Sequence, residues 1–164
     1  MVERCVRDAE VTGSNPAAPT SLTSKGPVLF SRFSPASKRV LRAAEQASRN
    51  HNHYYVGVGH LLLALLEEHD PGVEALLAEY GANPAEVVED LRRALGTGDD
   101  RLWDGILVTP RVLGAVARAD AAVPAGEPIE PAHLLDAMAI EGAGLAAEIL
   151  ARYRAKAPSR PVAP

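Results

Sequence analysis

The feature of this sequence that most restricts its possible folds is a short, almost uniformly apolar stretch. Residues 56–66 read VGVGHLLLALL. Two glycines near its start suit a tight turn, because a residue without Cβ can adopt strained backbone dihedrals. A helix that is apolar on nearly every side must be buried, and this one is too short to span a bilayer, which needs about 20 residues. The stretch therefore predicts a central helix at about 59–68, surrounded by amphipathic helices.

A second stretch repeats this pattern further along the chain. Residues 129–138 read IEPAHLLDAM, and His133 follows His60 by 73 residues. The helix-start pair Ser34-Pro35 has a similar counterpart, Thr109-Pro110, which lies 75 residues later. A repeated spacing of this kind is typical of internal duplication. The second copy is then two residues shorter in the loop before its central helix.

Helix-start signals divide the rest of the chain. Ser34-Pro35, Asn83-Pro84 and Thr109-Pro110 each place a favoured N-cap before proline. Proline is tolerated at the first helical position, where its missing N–H would have no partner. Apolar residues at helical spacing follow each signal, and Gly81 and Gly96 are suited to end two of the helices. The predicted fold class is all-α, with two pseudo-symmetric repeats of about four and three helices.

The composition changes mark the expected domain boundaries. Residues 1–29 are rich in Ser, Thr, Gly and Pro without apolar periodicity, which predicts disorder. A first repeat at 30–96, a polar linker at 97–107 and a second repeat at 108–153 follow, and 154–164 is predicted to be a disordered tail. The change near residue 30 also suggests that translation starts there, a hypothesis that the intact mass of the native protein tests.

Charge and cysteine content limit the partners and the compartment. Residues 31–153 contain 11 basic and 18 acidic side chains, which disfavours nucleic acid as a partner because its binding needs clustered basic charge. The single cysteine, Cys5, excludes an internal disulfide framework and fits a reducing compartment. No apolar run resembles a signal peptide or a membrane span. We therefore expect a cytoplasmic protein that does not enter membranes.

The same residues resemble the Clp repeat domain, the duplicated N-terminal module of AAA+ unfoldases of the ClpC and ClpA type. The similar segments are FSP (33–35), NHYYVGVGHLLLAL (52–65) and GVEALL (72–77) in the first copy, and TPR (109–111), HLL (133–135) and GLAAEIL (144–150) in the second. The resemblance covers about residues 30–153. It implies two four-helix repeats that dock substrates and adaptor proteins and, in ClpC-type members, bind phosphorylated arginine.

Three departures from the family pattern restrict what this resemblance implies. The chain has no Gly-x-x-x-x-Gly-Lys-[Ser/Thr] motif, so it carries no phosphate-binding loop of an ATPase. The glutamate that precedes the central histidine in the family is Gly59 in one copy and Ala132 in the other. Neither residue can replace a carboxylate that pairs with a guanidinium, so we expect weak or absent phosphoarginine binding. The eighth helix of the family fold has no counterpart after Tyr153.

Several residues are candidates for ligand binding. Ser34 and Thr109 either cap their helices or also help to hold an anion there. Phe30 either anchors the core or lines a peptide groove between the repeats. Glu127 and Glu130 could stand in for the missing carboxylates. The candidate ligand-binding residues are thus Phe30, Ser34, Thr109, Arg111, Glu127 and Glu130.

Metal binding and catalysis have less support in the sequence. His51 and His53 form a His-x-His pair near His60, but no carboxylate or cysteine completes a ligand set at suitable spacing. The histidines that open the central helices are expected to cap or pack there. No serine is accompanied by a His-Asp pattern, so no catalytic residues and no cofactor are predicted.

The sequence therefore predicts a non-catalytic protein- or peptide-binding module that modulates Clp-dependent proteolysis. Its expected partners are a Clp unfoldase, its adaptors or its substrates. The alternative is a degenerate scaffold that dimerises, or joins the unfoldase, through apolar surface left bare by the missing eighth helix.

Overall fold

The computed structural model describes residues 30–99 and 107–156. Within these ranges the chain forms seven helices and two very short strands. The strands are β1 (Tyr55–Val56) and β2 (Leu107–Val108), and the helices are α1 (Pro35–Asn50), α2 (Val58–Glu67), α3 (Pro71–Glu79), α4 (Pro84–Leu95), α5 (Pro110–Ala122), α6 (Pro131–Glu141) and α7 (Leu145–Lys156). The all-α prediction is confirmed. The segment 1–29, predicted to be disordered, lies outside the described residues.

The predicted helix starts correspond to observed caps in the first repeat. Ser34 Oγ accepts a hydrogen bond of 3.1 Å from the Ser37 N–H, and Asn83 Oδ1 accepts one of 3.0 Å from the Ala85 N–H. Asp70 caps α3 in the same way. Thr109 precedes α5 but makes no capping hydrogen bond through its side chain. The start of α5 therefore lacks the side-chain capping hydrogen bond that α1, α3 and α4 have.

Helix α2 is the centre of the core. Its residues are buried from Val58 to Leu66, and only Glu67 at its end is exposed. Helix α6 is the central helix of the second repeat and buries one face, with Leu134, Leu135 and Met138 inside. Helix α1 packs against α2 as α5 packs against α6, and both repeats share one continuous apolar core.

The two repeats are joined by short parallel backbone pairs. In one pair, Val56 before α2 lies opposite Val108 before α5. In the other, Phe33 before α1 forms a bridge with Ile129 before α6. The same shifts of 75 and 73 residues that relate the sequence motifs relate Phe33 to Val108 and Val56 to Ile129. Each pair therefore contains one chain segment from each repeat, as a pseudo-two-fold axis requires.

Helix α7 closes the second repeat. It packs against α2, α4 and α6, and the Tyr153 hydroxyl is 3.1 Å from a carboxylate oxygen of Asp90 on α4. It continues to Lys156, beyond Tyr153, where the sequence predicted the second repeat to end. None of the helices in the described ranges combines the length and apolarity needed to cross a bilayer.

Candidate binding groove

A wide cleft lies between the two repeats, where the N-termini of α2, α5 and α7 meet. We call it the inter-repeat groove, and its volume is about 500 Å³. Its walls are mostly apolar or backbone, with two hydroxyls, one imidazole and one guanidinium. The lining residues are Tyr55, Gly57, Val58, Gly59, His60, Leu95, Thr109, Pro110, Arg111, Gly144 and Leu145.

Backbone pairing between the repeats positions two walls of this groove. The Thr109 N–H donates to the Val56 carbonyl oxygen at 3.0 Å, and the Leu107 N–H donates to the Tyr54 carbonyl oxygen at 3.0 Å. Because β1 leads directly into α2 and β2 leads into α5, these bonds hold the two helix N-termini side by side. The groove is thus a consequence of the pairing between the repeats.

Arg111 supplies the charge of the groove. A Cβ placed on Gly144 would lie 2.6 Å from Arg111 Nη1, so the arginine side chain lies directly against the glycine backbone. Gly144 has a φ of +89°, which glycine adopts readily and other residues rarely do. No Asp or Glu is among the residues that line the groove. The groove is therefore a cationic site on a chain whose formal net charge is −4.

Apolar side chains lie against Gly59, the position at which the Clp repeat pattern that this sequence resembles has a glutamate. A Cβ placed on Gly59 would lie 3.0 Å from Leu95 Cδ2 and 3.0 Å from Leu145 Cδ2, which is tighter than ordinary van der Waals contact. Two leucines thus fill part of the space that a side chain at position 59 would need. The groove offers no acidic partner to a guanidinium.

The cleft at the pseudo-equivalent end of the molecule differs from the inter-repeat groove in volume and charge. There the N-termini of α1 and α6 meet, and the nearby cleft has a volume of about 160 Å³. Its lining includes Arg39 together with Glu68, His69 and Asp70. A Cβ placed on Gly72 would lie 3.3 Å from the Cβ of Ala132, so the backbones approach closely here as well. The two related clefts have diverged, one cationic and open, the other smaller and of mixed charge.

A histidine cluster supports the wall that α2 contributes. His60 is fully buried, its Nδ1 accepts from the Gly57 N–H at 3.1 Å, and its Nε2 lies 2.8 Å from His53 Nδ1. We assign the proton of the neutral ring to Nε2, which then donates to His53. Burial, with smaller contributions from His53 and His51, lowers the pKa of His60 to about 4. Burial and His51 also lower the pKa of His53.

The same cap occurs in the second repeat. The Glu130 N–H donates to His133 Nδ1 at 3.0 Å, as the Gly57 N–H donates to His60. The prediction that these histidines cap or pack at the starts of the central helices therefore agrees with their contacts. In the part of the chain that the structure describes, no three His, Cys, Asp or Glu side chains are arranged to hold a metal ion.

The structure brings together only two of the candidate residues in the inter-repeat groove, Thr109 and Arg111. Phe30 is buried in the core, with its ring edge-on to Phe33 at 5.4 Å between centroids. Ser34 is buried and caps α1.

The two glutamates that could replace the missing carboxylates also lie apart from the groove. Glu127 follows the end of α5, where its carbonyl oxygen accepts from Arg32 at 3.2 Å. Glu130 precedes α6. Neither lines the groove.

Leu95 and Leu145 are groove residues that sequence reasoning missed. Their helical spacing indicates only that each lies on the apolar face of a helix. The available signal was the duplication, because Gly144-Leu145 at the start of α7 corresponds to Gly72-Val73 at the start of α3. That correspondence places Leu145 beside a helix start of the other repeat, but it does not show that Leu95 would join it.

Comparisons with known proteins agree on one family and one fold. The model of the Clp repeat (R) N-terminal domain matches residues 32–127. The chain is 35% identical over 68 residues to the chloroplastic chaperone protein ClpC of Pisum sativum. It is 30% identical over 84 residues to the ATP-binding subunit ClpC of the ATP-dependent Clp protease of Staphylococcus aureus. These matches cover 42% and 51% of this chain, but only 7% and 10% of the two relatives.

A solved structure described as preliminary structural investigations of a malarial protein secretion system has the same fold. It aligns with a TM-score of 0.61 and 22% identity, over 74% of this chain and 84% of that one. At this level of identity the likeness concerns the fold alone.

Proposed function

Because the chain belongs to the Clp repeat (R) N-terminal domain family, we propose that it is a non-catalytic module that binds segments of other proteins in the inter-repeat groove. The observation that supports this proposal is the groove itself. Its volume of about 500 Å³ is in the range of ligand sites, and its walls combine apolar side chains with a few polar groups. Such walls suit a short peptide segment.

The relatives suggest the setting in which such a module would act. They are Clp chaperones and Clp protease subunits, although the chain matches only a small part of each. We propose that the module docks substrates or adaptors of a Clp unfoldase, or the unfoldase itself, and thereby tunes Clp-dependent proteolysis. The cytoplasmic location expected from the sequence stays a prediction.

The alternative, a scaffold that associates through a bare apolar face, finds little support on α6. The exposed positions on this helix include His133, Asp136 and Ile140. By the shift of 73 residues, Asp136 stands where the first repeat has the buried Leu63. The face is thus largely polar, and Ile140, 66% exposed, is its one large apolar side chain among the described residues. A single exposed isoleucine is ordinary for a protein surface.

Binding of a permanently unfolded protein tests the proposal. Reduced, carboxymethylated α-lactalbumin is titrated against the full chain and against Leu145→Gln, which makes a groove wall polar. The matched control is Leu113→Gln, on α5, because Leu113 is exposed and does not line the groove. We expect Leu145→Gln to weaken binding about fivefold or more and Leu113→Gln to leave it unchanged.

Two results would contradict the proposal. One is equal binding by both variants, which would place the site elsewhere. The other is a concentration-dependent dimer in sedimentation velocity without any binding of the unfolded protein, which would favour the scaffold.

A further inference from the structure

We infer that the inter-repeat groove binds the C-terminal end of a peptide, with its free carboxylate at Arg111 and an aliphatic last side chain against Leu95 and Leu145. This inference rests on the proposed binding function and names the chemical class of its ligand. Three observations on the groove carry it: its charge, its backbone donors and the shape of its apolar wall.

The charge of the groove selects an anion. Arg111 is the one formally charged side chain in the lining, since His60 is neutral near pH 7, and the lining contains no carboxylate. Arg111 forms no ion pair with an Asp or Glu among the residues that the structure describes, unlike Arg32, Arg39 or Arg92. An unpaired guanidinium offers two parallel N–H donors, which match a carboxylate.

Backbone donors point to the same ligand. The residues that precede α2, α5 and α7, namely Gly57, Thr109 and Gly144, all line the groove. The first N–H groups of a helix have no partner within the helix, and the helix dipole adds positive potential there. Neither Gly57 nor Thr109 satisfies these groups through a side-chain cap. A terminal carboxylate could accept from such groups while Arg111 neutralises its charge.

The apolar wall favours a C-terminal carboxylate over the side-chain carboxylate of an Asp or Glu. Val58, Leu95 and Leu145 form a wall in the groove that also contains Arg111. A C-terminal aliphatic residue carries its carboxylate and its apolar side chain on the same Cα, so one residue can satisfy both features. An Asp or Glu side chain brings the carboxylate without an apolar arm.

The pseudo-equivalent cleft, between the N-termini of α1 and α6, is unsuited to such a ligand. Glu68 and Asp70 line it, so it would repel a carboxylate, and its volume is about 160 Å³. We therefore expect a single peptide per chain. The pseudo-two-fold symmetry of the fold does not extend to the ligand.

Fluorescence anisotropy with short labelled peptides tests this inference. The first peptide, Gly-Ser-Gly-Ser-Ala-Leu, has a free carboxylate, the second is the same peptide amidated at its C-terminus, and the third is amidated and carries an internal Asp. We expect the first to bind with a stoichiometry of one. Amidation should weaken binding about tenfold or more, and raising the salt concentration should weaken the binding of the free acid.

Protein variants test the role of the guanidinium. Arg111→Gln should weaken binding of the free-acid peptide about tenfold. Arg42→Gln removes an exposed arginine from α1, outside the groove, and should leave binding unchanged. The amidated peptide on the unaltered chain serves as a second comparison that does not depend on the folding of any variant.

The outcomes separate the inference from the function on which it rests. Equal binding of the free and amidated peptides would overturn the inference, and so would equal binding of the internal-Asp peptide. If unfolded protein still bound in a manner that depends on Leu145, the proposed function would stand without a preference for C-termini. If neither peptides nor unfolded protein bound, both would fail.

Discussion

The Ser37 hydroxyl donates a buried hydrogen bond of 2.6 Å to the carbonyl oxygen of Ile129, 92 residues away in the other repeat. The same carbonyl oxygen accepts from the Ser34 N–H at 3.1 Å, and the Ile129 N–H donates to the Arg32 carbonyl oxygen at 2.8 Å. These bonds continue the pairing that places helix starts of the two repeats side by side. The walls of the groove come from both repeats, so its shape depends on this connection.

Arg32 should be the most important charged residue for the stability of the fold. Its guanidinium donates to the Asp120 carboxylate at 2.8 Å and to the Val123 carbonyl oxygen at 3.0 Å, closing the C-terminal end of α5. We expect Arg32→Gln to lower the free energy of unfolding by about 2–3 kcal/mol, because partly buried acceptors lose charge-assisted hydrogen bonds. Arg39→Gln, which breaks an exposed pair with Glu68, should cost about 0–1 kcal/mol in urea denaturation. Equal losses would contradict this assignment.

The central helices should contribute similarly to stability. Leu62 and Leu135 are related by the 73-residue shift, and both are fully buried. Truncation of either to Ala should cost about 2–5 kcal/mol, because it removes buried methyl groups and leaves a cavity. Ile140→Ala, at an exposed position of α6, should change stability by about 0.5 kcal/mol or less. A small effect of Leu135→Ala would show that the second repeat is not built around α6.

The stability of the protein should fall in acid because of His60. Its pKa is about 4 in the folded chain, against an unperturbed value of 6.5. Below pH 6.5 the His60 ring binds a proton in the unfolded state, whereas in the folded state it stays neutral until about pH 4. The free energy of unfolding therefore decreases as the pH falls through that interval. The loss should be of the order of 3 kcal/mol, and the lowered pKa of His53 acts in the same direction.

Urea denaturation at several pH values tests this effect. His60→Gln should flatten the dependence between pH 6.5 and 4, whatever its effect on stability at neutral pH. His69→Gln removes an exposed histidine and should leave the slope unchanged. A slope that survived His60→Gln would assign the acid sensitivity to other groups.

Phosphoarginine should bind weakly or not at all. The groove has no carboxylate for the guanidinium, and Leu95 and Leu145 occupy the space beside Gly59. For the same reason Gly59→Glu should not create a site unless a leucine is also shortened. Calorimetric titration with free phosphoarginine should show no saturation up to about 1 mM. Micromolar affinity would contradict this prediction and would direct attention to Glu127 or Glu130 at the other end of the molecule.

The helices and their duplication could be predicted because their signals are local. Ser34-Pro35 and Asn83-Pro84 mark helix starts through the chemistry of the first turn, and the stretch around Leu61–Leu66 marks a buried helix through its composition. The spacing of the two central histidines indicated that the two repeats are related by duplication. Such features depend on residues a few positions apart, so a single sequence reveals them.

The groove was harder to predict because it is a contact among distant segments. Thr109 and Arg111 were candidates, but nothing local showed that Leu95 and Leu145 would meet beside Gly59. Phe30 illustrates the reverse case. An aromatic residue at the start of a domain suits either a core or a groove, and only tertiary packing decides, here by burying it against Phe33.

The proposal that the inter-repeat groove is the recognition surface is tested most directly by mapping where an unfolded protein binds. Amide chemical shifts of the isotopically labelled chain are followed during titration with reduced, carboxymethylated α-lactalbumin. The largest changes should occur at Val58, Arg111 and Leu145, which line the groove. Changes concentrated around Asp136 and Ile140 on α6, or no changes at all, would contradict it.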